Sequence, residues 1–282
     1  MPFPFDRDYM QLALLAGVVV GISAPMIGSF LVQKRMSLIG DGIGHVAFAG
    51  VAGGLLLGVW PVWTALVAAV TGALAIELLR TRGRASGDLA LALLFYAGIA
   101  GGVVLLGLGQ GLSANVFVYL FGSILTVTPP DVTLIAVIGF LIVVTVTITR
   151  RALLAVVTDE EWARVAGLPV AVLNAVLAVL AAVTVVAAMR VVGILLIAAL
   201  MVLPVGAGQI LGRSFRGTLL WSMGVAVVSV VLGLAAARIW GLAPGGTIVL
   251  IAGAVFALLS AGAALTRPER LPAIFRGPEE DG

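Results

Sequence analysis

Long apolar runs separated by short polar or Gly/Pro-bearing breaks make up most of the chain. A helix needs roughly 20 apolar residues to cross about 30 Å of hydrocarbon. Runs of that length occupy 10–32, 37–59, 62–79, 88–108, 131–149, 169–188, 191–211, 217–237 and 246–265. They predict nine transmembrane helices, with eight and ten as the neighbouring counts. The segment 114–125 is too short to cross alone; it contains Tyr119-Leu120-Phe121-Gly122-Ser123 and is followed by Pro129-Pro130. It reads as a partial or re-entrant element buried in protein, where interrupted helices are tolerated. Small residues four apart, such as Gly54 and Gly58, Gly98 and Gly102, and Gly208 and Gly212, predict a tightly packed bundle.

Composition sharpens this into a class. The chain of 282 residues is 62% hydrophobic and 10% charged, with a mean hydropathy of +1.23. That excludes a soluble domain and predicts an all-α, polytopic membrane protein. The absence of cysteine excludes a disulfide framework, thiolate metal sites and cysteine nucleophiles. The start, Met1-Pro2-Phe3-Pro4-Phe5-Asp6-Arg7-Asp8, lacks the basic n-region of a signal peptide, so the first run is expected to stay as a helix. A net charge of only +3 points to membrane topology rather than nucleic acid, despite a pI near 9.9. With nine spans and an outer N-terminus, Lys34, Arg35, Arg80, Arg82, Arg84, Arg150, Arg151, Arg164, Arg213, Arg216, Arg267, Arg270 and Arg276 face the cytoplasm. Only Arg7, Arg190 and Arg238 then face outward, so the positive-inside rule selects N-out, C-in.

Two stretches carry candidate chemistry. Asp41 and His45, the only histidine, sit four residues apart at the start of the second run, after Lys34-Arg35-Met36-Ser37. On a helix they share one face, one turn apart. Ionisable groups inside a bilayer are costly and by default functional, and this pair offers oxygen and nitrogen to a divalent metal. At 1.5 Å per residue His45 lies roughly 13 Å in, approaching the midplane. The second stretch is Thr158-Asp159-Glu160-Glu161-Trp162-Ala163-Arg164-Val165-Ala166-Gly167-Leu168-Pro169. Thr158 and Glu161 fit a capping box, Gly167 a helix stop, and Pro169 the start of the next span. The segment predicts a short amphipathic helix beside the membrane, either an interfacial linker with a Trp anchor or a docking helix.

The run Lys34 to Ser37 followed by Gly40-Asp41 and His45 resembles the signature of the membrane subunits of zinc and manganese ABC importers. Tyr119 to Ser123, Val127-Thr128-Pro129 with Asp131, Val192 to Leu196 through Leu203-Pro204, and Ala243-Pro244-Gly245-Gly246 resemble later segments of that family, in order, over roughly 10–265. The resemblance implies a single permease domain over 1–282, with a coupling helix near 158–167 and a disordered tail near 268–282. It implies two permease copies, two cytosolic ATP-binding subunits and an extracytoplasmic metal-binding protein in the bacterial inner membrane. The coupling residues would be Thr158, Glu160, Glu161, Trp162, Arg164 and Gly167. No G-x-x-x-x-G-K-[ST] phosphate loop occurs, so ATP hydrolysis is expected in a partner and this chain is expected not to be an enzyme.

Two positions depart from the family pattern: Tyr96-Ala97 stands where many members carry a second histidine, and Ser123 where many carry an acid. One Asp and one His are too few for a tight site, but a two-fold homodimer would present two of each, matching the four ligands that zinc prefers. Tyr96, Asn115, Ser123 and Gln209 are candidates to line the path or to form hydrogen bonds between helices. Zinc is the first expected cargo, with manganese or iron next, and no cofactor is expected to be permanently bound. The competing readings are a permease for a chelated metal of siderophore or cobalamin type, and a stand-alone ion-coupled transporter.

Overall fold

The computed structural model describes residues 3–81, 87–109 and 114–266. The expected C-terminal tail therefore lies outside the described residues, as do Arg82 and Arg84. Among the described residues eleven helices follow one another: α1 (Asp8–Gln33), α2 (Ile39–Leu57), α3 (Pro61–Thr81), α4 (Gly87–Leu108), α5 (Ala114–Phe121), α6 (Pro129–Thr158), α7 (Glu160–Val165), α8 (Val170–Ala188), α9 (Ile194–Leu211), α10 (Phe215–Trp240) and α11 (Pro244–Thr266). Among the described residues nine of these are long and apolar enough to cross a membrane; α5 and α7 are not.

Lipid tails are as apolar as leucine, so burial in this bundle comes from close packing rather than escape from water. α1 is the central post, with 72% of its apolar window buried against 11% for α11. It packs on α6, α8, α9 and α10, while α2 is held between α3 and α4 and also touches α8 and α9. Gly98 shows why small residues matter: a Cβ there would come within 2.6 Å of the His45 carbonyl carbon. Glycine alone lets α4 lie directly on the α2 backbone at that level.

Polar contacts tie each face of the bundle together. On the face bearing the ends of α1, α3 and α6, Lys34 Nζ donates to Asn174 Oδ1 of α8 at 2.6 Å. Arg80 Nη2 on α3 donates to Glu160 Oε2 of α7 at 3.1 Å. On the opposite face, Arg190 between α8 and α9 donates to Asp131 Oδ2 at 2.9 Å, to the Thr126 carbonyl at 2.8 Å and to the Tyr119 hydroxyl at 3.2 Å. Those bonds hold α5 and the turn after it at the outer edge of the bundle. Gly122 (φ +75) and Gly193 (φ +93) each lie against the other's segment, where a Cβ would collide with backbone. A partial element at 114–125 was expected, and α5 ends within it at Phe121.

Two boundaries differ from the expectation. α6 does not stop at 149 but runs 30 residues to Thr158, because Arg150 and Arg151 lack the Gly or Pro that would break it. At 1.5 Å per residue it is about 45 Å long, and the arginine pair marks where it leaves the hydrocarbon. Thr158 therefore does not open the short helix through a capping box with Glu161. It is the last residue of α6; Asp159, extended at φ −150, is the cap and accepts from the Trp162 amide at 2.9 Å.

Candidate functional site

The turn between α1 and α2 fixes the approach to Asp41. The Met36 amide donates to the Leu31 carbonyl (2.9 Å) and the Arg35 amide to Val32 (3.0 Å), the paired bonds of a Schellman ending. That ending requires a left-handed residue, and Arg35 supplies it at φ +60 although it is not glycine. The tight turn delivers the chain into α2, whose first turn carries Asp41 close to the positive end of the helix dipole.

Asp41 and His45 face one open recess of about 490 Å³, lined also by Leu38 on the same side and by Leu91, Ala92, Phe95 and Tyr96 of α4. The His45 ring meets the Phe95 ring edge-on, with centroids 4.2 Å apart. Both side chains are half-buried. Among the described residues neither is engaged by a protein hydrogen bond or ion pair, so their oxygen and nitrogen atoms remain available to a ligand in the recess. Tyr96, which stands where the family's second histidine was expected, joins them there and is 69% exposed. Among the described residues no three His, Cys, Asp or Glu side chains gather into a group that could hold a metal. One chain thus brings a single carboxylate and a single imidazole to an open surface.

The other residues singled out in the sequence lie elsewhere. Gln209 on α9 lines a separate recess with Ser29, Gln33, Thr158 and Thr218. The Ser123 amide donates to the Arg190 carbonyl in the outer turn, at 3.2 Å. Asn115 falls in α5, with its side chain outside what is described.

Beyond the three-residue spacing of Glu77 and Arg80, which predicts a local pairing, no pattern in the sequence signals the ion cluster that joins the ends of α1 and α3 to α7. Arg80 grips Glu77 with two bonds of 2.8 and 3.1 Å, and Lys34 Nζ approaches Glu77 to 4.0 Å. Arg80 also bonds Glu160, which reaches Arg164 at 3.5 Å. Burial pushes the Lys34 ammonium below its ordinary range, with Glu77 pulling it back up. The cluster links α7 to the end of α1, a few residues before Asp41. α7 presents Trp162 and Val165 outward, 62% and 88% exposed, while Ala163 is buried.

Residues 6–263 match the ABC 3 transport family. The chain belongs to that family. A manganese transport system membrane protein, MntC, of Halalkalibacterium halodurans is 31% identical over 262 residues, covering 92% of this chain and 90% of its own. A probable metal transport system membrane protein of Thermotoga maritima is 32% identical over 254 residues, covering 88% and 87%. Among solved structures, PsaBC from Streptococcus pneumoniae in complex with Fab superposes with a TM-score of 0.81 at 30% identity, covering 90% of this chain and 91% of that one. An inward-facing ABC transporter of metal-chelate type, at 17% identity and a TM-score of 0.71, shares the fold. As a member of the ABC 3 family, the chain is a multi-pass permease of a metal ABC importer in the bacterial plasma membrane.

Proposed function

We propose that this permease passes a bare divalent transition metal, manganese ahead of zinc, through a pathway formed by two copies of the chain. The observation that carries the reading is the exposed recess holding Asp41, His45 and Tyr96, with no hydrogen-bond or ion-pair partner for Asp41 or His45 among the described residues. Two copies facing across a two-fold axis supply two carboxylates and two imidazoles, with the two Tyr96 hydroxyls beside them. Tyr96, in place of a second histidine, makes the donor set richer in oxygen, which favours manganese over the zinc expected from the sequence. The manganese systems named among the relatives support the same order. Coordination is transient, since transport requires release as well as capture.

A binding protein delivers the metal at the face closed by α5 and the Arg190 turn. Two cytosolic ATP-binding subunits grip α7 through Trp162 and Val165, with Glu160, Glu161 and Arg164 setting its charge. ATP binding and hydrolysis in those subunits shift the permease between outward- and inward-open states. Glu160 passes the movement to Arg80, Glu77 and Lys34.

The test uses the assembled transporter in proteoliposomes with radioactive manganese and zinc. ATP-dependent uptake of manganese above zinc fits the reading; uptake of a chelate but neither ion overturns it. The dimer axis has its own check. The chain has no cysteine, so Tyr96→Cys creates a single thiol. Cross-linking of two copies through it is expected, and a wholly monomeric product in the assembled complex would remove the shared site.

A further inference from the structure

A second recess, which shares no lining residue with that of Asp41 and His45, has both a charged rim and an apolar wall. It has a volume of about 390 Å³ and opens where α1, α6 and the start of α10 meet. Arg150, Arg151 and Arg216 line it, with Phe30, Leu154 and Leu219 among the apolar side chains. All three arginines are exposed, and none has a carboxylate within ion-pair reach among the described residues. The positive-inside rule accounts for cations at this face but not for three of them around one cavity. Ser214, the cap of α10, also lines it and brings the positive end of that helix to the same rim.

Depth and surroundings identify the occupant. Arg150 precedes the end of α6 by eight residues, about 12 Å at 1.5 Å per residue, which sets it at the headgroup level rather than out in the cytosol with α7. Ile148 and Leu220, on the same two helices, are 77% and 57% exposed, as lipid-facing residues are. α6 and α10 pack chiefly on α1, α8, α9 and α11, so the recess is not on the α2–α4 side that holds Asp41 and His45. A soluble anion would gain nothing from the apolar wall, and a neutral lipid nothing from the arginines.

We propose that this recess is a binding site for an anionic phospholipid of the cytoplasmic leaflet. Its phosphate pairs with Arg150, Arg151 and Arg216, and the upper part of an acyl chain lies along Leu154, Phe215 and Leu219. The proposal is independent of which metal is carried.

Native mass spectrometry of the assembled transporter with phosphatidylglycerol and with phosphatidylcholine tests it. The native protein should retain phosphatidylglycerol with at least about tenfold preference, since each cation near an anionic headgroup is worth roughly a factor of five. Arg150→Gln/Arg151→Gln/Arg216→Gln should abolish that preference, and Arg213→Gln, which removes a neighbouring charge outside the recess, should keep it. Leu219→Trp fills the cavity without changing charge and should also lower retention. Equal retention of both lipids by the native protein would overturn the proposal. So would an equal loss from Arg213→Gln and Arg216→Gln, which would show diffuse surface charge. Displacement of the lipid by millimolar inorganic phosphate would make this a free-anion site and contradict the lipid assignment.

Discussion

Glu77→Gln is the sharpest probe of the ion cluster because it keeps the side chain's shape while removing its charge and one of the two oxygens that accept from Arg80. Glu77 lies between two cations: its side chain is 10% exposed, that of Lys34 9%, and that of Arg80 23%. Breaking a buried pair by removing one partner costs about 3–5 kcal/mol. Arg80 keeps Glu160 and some solvent, which discounts the loss to roughly 2–4 kcal/mol at neutral pH. The pH response is distinctive. Burial already holds the Lys34 ammonium low, and removing Glu77 takes away the largest attraction opposing that shift. Between its folded pKa and its unfolded value near 10.4, the unfolded chain binds the extra proton, so stability rises with pH. The deficit of Glu77→Gln should therefore be smaller in alkaline solution, nearer the unfolded lysine value, than in neutral solution. Unfolding of the full chain in detergent, followed at both pH values, measures this. The double variant Lys34→Met/Glu77→Gln should lose that pH dependence. A deficit below about 1 kcal/mol, or the same pH slope with Met at 34, would refute the cluster as a buried electrostatic unit.

Three further outcomes follow from other contacts. Glu160→Gln weakens the link from α7 to Arg80, and should lower metal uptake several-fold more than ATP hydrolysis in the assembled complex; parallel loss of both would point to failed assembly instead. Gly98→Ala pushes a methyl into the His45 backbone and should cost about 2 kcal/mol or more of stability, with uptake falling as α4 shifts; an unchanged unfolding midpoint would contradict the packing. Arg190→Met leaves Asp131, 3% exposed, with only its Thr128 bonds, and should destabilise by roughly 2–3 kcal/mol while freeing α5 to proteolysis; no change in either would show the outer turn to be held by the glycine packing alone.

The spans were legible because bilayer thickness sets helix length, and a run of 20 apolar residues has few other uses. The pairing of Asp41 with His45 was legible for a similarly local reason: four residues on one helix are one turn, whatever the tertiary fold. What escaped the sequence is long-range. Lys34 meets Asn174 across 140 residues, Arg80 meets Glu160 across 80, and Arg190 meets Asp131 across 59. No periodicity signals such pairs. Phe95 stacking edge-on against His45 is hidden for the same reason, since every residue around it is also apolar. The start of the short helix was misplaced by a near-degenerate local choice. Thr158 and Asp159 can both cap, and the geometry of α6 leaves the task to Asp159.

The central claim is that Asp41 and His45 hold the metal in passing. The direct measurement is ATP-dependent uptake of manganese and zinc by the assembled transporter carrying Asp41→Ala or His45→Ala, at matched expression and with ATPase pairing verified. The account predicts that uptake falls at least tenfold in each variant while the ATP-binding subunits stay attached. Uptake at native levels in both variants would contradict it and leave the recess without a role in transport.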